Sequence, residues 1–174
     1  MPHDIKIRSE APADHPAVRR VNELAFGKPQ EADLVARLRG SCPGLVSLVA
    51  VSADQIVGHI LFSPAVIEGE GRSLNGMGLA PVAVLPAFQR QGIGKALIGA
   101  GIDRMRASGE PFVIVLGHPG YYPTFGFVPA SRFGIRCEYD GVPNEAFMIL
   151  VLKDVALAGI SGVARYRPEF AEVT

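Results

Sequence analysis

Residues 77–108, with the sequence MGLAPVAVLPAFQRQGIGKALIGAGIDRMRAS, decide how the rest of the chain is interpreted. The apolar run from Gly78 to Leu85 predicts a buried strand, and Gly109 marks the end of the helix that we expect beyond it. The apolar residues of that helix have the spacing of one helical face: Ile93, Leu97, Ile98, Ile102 and Met105. The turn QRQGIG, residues 89–94, joins the two elements. This stretch therefore predicts a strand, a turn that contains glycine, and a helix.

The turn has the features of an anion-binding site. Gly92 and Gly94 allow a ligand to approach the backbone closely, because no side chain intervenes. The first amide groups of a helix have no partner inside it and lie at the positive end of its dipole, which favours phosphate. Arg90 and Lys95 add full positive charges on either side. These residues predict a turn that binds a pyrophosphate.

The spacing of the turn separates three classes of phosphate site. A Walker-type nucleotide site requires a glycine where Gln89 stands and a Ser or Thr where Ala96 stands. A dinucleotide site requires a third glycine at the position of Leu97. The remaining pattern, Gln-x-x-Gly-x-Gly shortly after Pro86, resembles the phosphate turn of the GNAT superfamily of acyltransferases, which use acetyl-coenzyme A (acetyl-CoA). This motif alone leaves open an ordinary tight turn into a helix.

A second motif strengthens the resemblance. The apolar run from Phe112 to Gly117 predicts another strand, and Tyr122-x-x-x-Gly126-Phe127 follows it. Its content and its order along the chain resemble the last conserved motif of the GNAT superfamily. The longer motif VLGxPxYYxxFGFxPA, residues 115–130, resembles sequences of the small bacterial YhbS-like branch of this superfamily. The resemblance extends from Ile5 to about Leu152.

The predicted elements have the order that this resemblance implies. We expect strands at 5–8, 45–51, 56–67, 78–85, 112–117, 133–139 and 147–152, and helices at 14–26, 31–39 and 93–108, with a short helical segment near residue 122. In the first helix, Val18, Val21, Leu24 and Ala25 are predicted to face inward. The resemblance implies an α/β fold with a mixed, mostly antiparallel central sheet flanked by helices. We expect a single GNAT-like domain over residues 1–152, with residues 153–174 as a tail of that domain that no pattern places.

Charge and composition limit the partners. Lys plus Arg equals Asp plus Glu, at 17 each, so no overall field draws the chain to nucleic acid or to an anionic membrane. The sequence shows neither an apolar leader nor a run long enough to span a bilayer, so we expect a cytoplasmic protein. Cys42 and Cys137 are isolated, which predicts reduced thiols and no metal cluster.

The resemblance implies a cofactor site and no metal. Acetyl-CoA is the expected co-substrate, with its pyrophosphate on the turn and its pantetheine arm along the end of the preceding strand. The amide near Val84 is expected to polarise the thioester carbonyl. The expected cofactor-binding residues are Val82, Ala83, Val84, Gln89, Arg90, Gln91, Gly92, Ile93, Gly94 and Lys95.

Two catalytic residues are implied by motif position. Tyr122 is expected to give a proton to the leaving thiolate, since a phenol with a pKa near 10 stays protonated at neutral pH, and Tyr121 is its rival. The attacking amine must be neutral, so a base is needed for a lysine-like acceptor. Glu31 is the expected base because its helix borders the acceptor site in the family, and Glu23 and His118 are alternatives.

These expectations define one function and two rivals. The predicted function is transfer of acetyl from acetyl-CoA to a primary amine, on a small molecule or a peptide, by direct attack in a ternary complex. The rivals are a non-catalytic module that binds acyl-CoA and a nucleotide-binding protein that uses the same turn. We expect a monomer or a homodimer, and the sequence does not identify the acceptor.

Overall fold

The computed structural model describes residues 4–173, and these form two compact units. The first unit comprises residues 4–62, 81–104 and 169–173, and the second comprises residues 63–80 and 105–168. The strands are β1 Ile5–Ser9, β2 Val46–Ser52, β3 Gln55–Gly69, β4 Arg72–Val84, β5 Phe112–Leu116, β6 Val128–Pro129, β7 Ile135–Cys137, β8 Phe147–Val151 and β9 Gly162–Arg165. The helices are α1 His15–Phe26, α2 Gln30–Ser41, α3 Ile93–Ala107 and α4 Asp154–Leu157.

The first unit contains an antiparallel sheet in the order β1-β2-β3. Ile5 of β1 pairs with Ser52 of β2, and Val46 of β2 pairs with Phe62 of β3. The hairpin between β2 and β3 turns at Ala53 and Asp54, whose φ angles of 47° and 64° match the twist that a two-residue hairpin turn requires. The predicted hairpin over residues 45–67 is therefore confirmed.

Two glycines allow helix α3 to pack closely in the first unit. A Cβ added at Gly58 of β3 would lie 3.0 Å from Leu97 Cδ1 and 3.2 Å from Ile93 Cγ2. A Cβ added at Gly101 of α3 would overlap the buried ring of Phe62. The predicted inward face of α3 is buried as expected. This packing holds the first turn of α3 in place at the end of the glycine-containing turn.

Helix α1 presents a polar residue where the sequence predicted an apolar one. Leu24 is 47% exposed, whereas Asn22 is fully buried and its Nδ2 lies 3.1 Å from His59 Nδ1. The expectation that Leu24 faces inward is wrong, because the buried imidazole on β3 requires a polar partner on the helix. Ser47 Oγ lies 2.9 Å from Nε2 of the same ring. Burial, and then the charge of Arg39, lower the pKa of His59 to about 3, so the ring is neutral.

The second unit contains strands that pair in the order β3-β4-β5-β8-β6. Strands β4 and β5 are parallel over Met77–Leu79, and β8 is antiparallel to β5 over its whole length. Strand β9 lies off this path and pairs with Val66–Gly69 of β3 and with β7. β9 and α4 belong to the tail that no sequence pattern placed.

Some predicted boundaries are wrong. Helix α2 continues through Gly40 to Ser41, where Cys42 ends it in an extended conformation. The strand expected over residues 133–139 is reduced to β7, because Ala130–Phe133 forms a 3-10 turn that Gly134 ends with φ of 70°. Strand β4 begins at Arg72, earlier than the apolar run suggests, since its polar start completes the hairpin with β3.

Candidate active site

The glycine-containing turn forms a joint between β4 and α3 in the first unit. Gly92 is exposed and has φ of 86°, a conformation that favours glycine. Its carbonyl oxygen accepts the first hydrogen bond of the helix, from the Ala96 amide at 3.0 Å. The amides of the preceding first turn therefore have no partner inside the helix and lie at the positive end of its dipole. The arrangement suits an anion with several oxygens.

Charge and packing support this joint. Arg90 and Lys95 are exposed on either side of Gly92, whereas the side chain of Ile93 is buried and holds the turn against β3. Arg90 itself has φ of 63°, which is uncommon for a residue with a side chain. A strained backbone next to an open, positively charged helix start marks a candidate ligand site.

The two glutamines of the turn brace the loop. Gln89 Nε2 donates to the Val84 carbonyl oxygen at 2.9 Å, and Gln91 Nε2 donates to the Ala87 carbonyl oxygen at 3.3 Å. Their side chains therefore fix the shape of the turn. Their predicted part in cofactor binding stays a prediction.

The end of β4 has one half-exposed face. Ala80, Val82 and Val84 are half-buried, whereas Ala83 between them is buried. Pairing between β4 and β5 covers Met77–Leu79, while β4 itself continues to Val84. The strand thus offers backbone groups beyond its last pairing with β5.

Glu31 lies in the first turn of α2 and is nearly buried. Its side chain is 12% exposed, and one carboxylate oxygen, Oε2, lies 3.3 Å from Lys28 Nζ. The other oxygen, Oε1, is buried and has no hydrogen-bond partner within residues 4–173. A buried carboxylate oxygen without a hydrogen-bond partner is costly and uncommon, which sets Glu31 apart from the other candidate bases.

The other two candidate bases have structural roles. Glu23 forms an ion pair with Arg19 at 2.6 Å on the surface of α1. His118 is exposed, and its Nδ1 accepts a hydrogen bond from the Gly120 amide at 3.0 Å. Glu31 stays the predicted base.

Tyr122 lies in the second unit, at the start of the 3-10 turn Tyr122–Phe125. Its ring packs over Gly117, where a Cβ would overlap it, and meets the Phe127 ring edge-on at 5.6 Å between centroids. Burial, and then the neighbouring Tyr121, raise the pKa of Tyr122 to about 12. Its hydroxyl makes no hydrogen bond to any residue that the structure describes, so it is available to a ligand.

The part of the chain from residue 4 to residue 173 contains no group of three or more potential metal ligands among His, Cys, Asp and Glu side chains. Within the same residues, no helix is long and apolar enough to cross a bilayer.

Residues 6–130 match the family model described as an acetyltransferase (GNAT) domain. The chain belongs to the GNAT family. This GNAT chain is 35% identical to the uncharacterized N-acetyltransferase YhbS of Escherichia coli K12, over 94% of this chain and 97% of YhbS. It is also 44% identical to the uncharacterized N-acetyltransferase YjhQ of the same strain, over 76% of this chain and 75% of YjhQ.

Two solved GNAT structures resemble this chain over nearly its whole length. One is YhbS of Escherichia coli in complex with CoA, with a TM-score of 0.87, 33% identity, and coverage of 97% of this chain and 93% of that chain. The other is a GNAT family acetyltransferase of Brucella melitensis in complex with acetyl-CoA, with a TM-score of 0.78, 34% identity, and coverage of 97% and 99%. The predicted family, its YhbS-like branch and the mixed, mostly antiparallel GNAT fold are confirmed. The chain is accordingly an acyltransferase of the GNAT type.

Proposed function

We propose that this protein transfers the acetyl group of acetyl-CoA to a primary amine by direct attack in a ternary complex. The observation that carries this proposal is the joint at Gly92, an exposed helix start with a positive φ that Arg90 and Lys95 flank. The CoA and acetyl-CoA complexes of the two similar structures support the choice of cofactor. The acceptor is proposed to be an amine on a small molecule or a peptide.

The residues of the joint fit a pyrophosphate. We assign the pyrophosphate to the amides of Ile93, Gly94 and Lys95, with Arg90 adding charge, because anions bind well at open helix starts. The pantetheine arm is assigned to the backbone of Val82–Val84, which continues beyond the last pairing with β5. When bound, acetyl-CoA supplies a thioester carbonyl that an amine can attack.

Val84 is proposed to stabilise the charge that develops on that carbonyl oxygen. A fixed backbone amide aimed at such an oxygen is worth about 3 to 4 kcal/mol of barrier. The Val84 carbonyl oxygen, which lies in the next peptide unit of the chain, accepts a hydrogen bond from the Gln89 side chain at 2.9 Å. This hydrogen bond ties the loop after β4 to the strand end next to the proposed amide.

Tyr122 is proposed to hold the proton that the leaving thiolate needs. Its hydroxyl is protonated at neutral pH, as that of an ordinary tyrosine is, and burial raises its pKa further, to about 12. Glu31 is proposed to take a proton from the incoming ammonium group, directly or through water, with its carboxylate.

Calorimetric titration with acetyl-CoA tests this proposal. We expect the unaltered protein to bind, and Gly92→Glu to weaken binding about tenfold or more, because the side chain strains a positive φ and places an anion at the phosphate site. Gly99→Glu is the matched control, since a Cβ added at Gly99 of α3 would lie in open space. If Gly92→Glu and the unaltered protein bound acetyl-CoA with equal affinity, the turn would not be part of the binding site.

Turnover and competition separate the proposal from its rivals. Thiol release with at least one amine is expected, whereas tight binding with slow release for every amine would favour a non-catalytic acyl-CoA module. Displacement of acetyl-CoA by ATP or NAD at comparable concentrations would favour a nucleotide-binding protein. A cytoplasmic location and a monomeric or homodimeric state stay predictions.

A further inference from the structure

Tyr166, immediately after β9, places its hydroxyl at the end of the β4–β5 pairing. The hydroxyl lies 3.3 Å from the carbonyl oxygen of Leu79 on β4 and 3.3 Å from that of Ile114 on β5. The backbone amide of Leu116 also hydrogen-bonds to this hydroxyl. One buried side chain therefore contacts backbone groups of two neighbouring strands.

The second unit is shaped to hold this side chain. The ring packs over Gly78 of β4, where a Cβ would lie 2.5 Å from Tyr166 Cε1. The backbone amide of Tyr166 donates to Glu138 Oε2 at 2.6 Å. Tyr166 is 7% exposed, and burial raises its pKa far above the ordinary value, so its hydroxyl keeps its proton. The ring and the backbone are fixed independently of the hydroxyl.

The hydroxyl lies where the two strands last pair. Leu79 and Val115 form the last pair of the parallel ladder, yet β4 continues to Val84. A hydroxyl can both accept from a strand amide and donate to a strand carbonyl. It therefore satisfies ladder groups that would otherwise seek partners on the opposite strand.

We propose that Tyr166 is a positioning residue that ends the β4–β5 ladder and so keeps the backbone of Val82–Val84 free for the pantetheine arm. The inference rests on the proposed function, because it requires that arm to lie along β4. It assigns a functional role to the tail, residues 153–174, whose structure no sequence pattern predicted. Tyr166 acts through the strands and does not itself contact the reacting atoms.

A comparison of two ligands distinguishes binding of the pantetheine arm from binding of the pyrophosphate. Acetyl-CoA carries the arm, whereas 3′-phosphoadenosine 5′-diphosphate keeps the pyrophosphate and lacks the arm. The ratio of their affinities, measured by calorimetry, reports what the arm contributes. In Tyr166→Phe we expect this ratio to fall about tenfold, the effect of losing one well-placed hydrogen bond, while affinity for the truncated ligand stays within about twofold.

Two further variants sharpen the test. Glu138→Ala frees the Tyr166 backbone but keeps the hydroxyl, and it should lower the same ratio by a smaller factor. Ser131→Ala removes a different, exposed hydroxyl from the same unit and should leave the ratio unchanged. Melting temperatures are measured for all three variants, so that a loss of folding is recognised.

The outcomes distinguish this inference from the proposed function. An unchanged ratio in both Tyr166→Phe and Glu138→Ala overturns the role of Tyr166, with the proposed function intact. Equal losses of both ligands also overturn it, because a general role in folding predicts that result. Failure of the unaltered protein to bind acetyl-CoA overturns the proposed function, and this inference with it.

Discussion

Replacing Tyr122 with phenylalanine tests the proposed proton donor most directly. The change removes one oxygen and keeps the ring against Gly117 and Phe127. The hydroxyl makes no hydrogen bond to another residue within the described range 4–173, so the free energy of unfolding should change by less than about 0.5 kcal/mol. Loss of a general acid typically costs about 10²- to 10⁴-fold in kcat, or about 3 to 5 kcal/mol of barrier.

The raised pKa of Tyr122 adds a second expectation. With a pKa of about 12, only about one hydroxyl in 10⁴ is ionised at pH 8. Deprotonation of Tyr122 should therefore cause no fall of kcat below about pH 10. The assay is thiol release at saturating acetyl-CoA, recorded from neutral to moderately alkaline pH, with the KM for acetyl-CoA unchanged in the variant.

Tyr121→Phe is the matched control for this experiment. Its ring lies 5.2 Å from the Tyr122 ring between centroids, and burial also raises the pKa of Tyr121. We expect kcat to stay close to that of the unaltered protein. Full turnover by Tyr122→Phe, or a larger loss in Tyr121→Phe, would refute the reasoning.

Three further predictions concern stability and the proposed base. Gly101→Ala should lower the free energy of unfolding by about 1 to 3 kcal/mol, because the added Cβ overlaps the Phe62 ring. Gly99→Ala should raise it by about 0.5 to 1 kcal/mol, because alanine favours the helix and its Cβ meets open space. Urea titration measures both values, and a lower stability of Gly99→Ala than of Gly101→Ala would contradict the described packing. Glu31→Gln should lower kcat/KM for the amine about tenfold or more and leave acetyl-CoA affinity unchanged, and steady-state kinetics that match the unaltered protein would exclude Glu31 as the base. The pKa of His59 is about 3 in the folded protein and 6.5 ordinarily, so the unfolded chain binds more protons than the folded chain between these two pH values. The free energy of unfolding should therefore fall as the pH drops through this window, by about 2 kcal/mol from pH 7 to pH 5. If the His59→Gln variant showed the same dependence on pH, the loss of stability would belong to other groups.

The spacing of apolar residues predicted those strands and helices that form mainly because of residues close to them in the sequence. Strand β1, the β2–β3 hairpin and helix α3 follow from local apolar spacing and turn residues, and each lies where it was expected. The phosphate turn is likewise local, because it depends on two glycines and a helix start. Its assignment as a cofactor site stays a prediction.

Features that depend on distant partners were missed. Leu24 was predicted inward because the sequence does not reveal that Asn22 meets His59, which lies on another element. Tyr166 had no recognisable role, since its hydroxyl partners Leu79 and Ile114 lie far away along the chain. Gly78 was predicted at the start of a strand, whereas it lies inside β4 in the structure, and a glycine inside a strand marks the close approach of another group.

The position of β9 also bears on how the protein avoids self-association. Residues Gly162–Arg165 pair with Val66–Gly69 of β3 and so occupy backbone groups that would otherwise form an open strand edge. Open edges recruit strands from other molecules and lead to aggregation. A chain ended at the predicted boundary near Leu152 would expose that edge. We therefore expect a chain shortened at that boundary to be lost to aggregates even where every proposed catalytic residue is present.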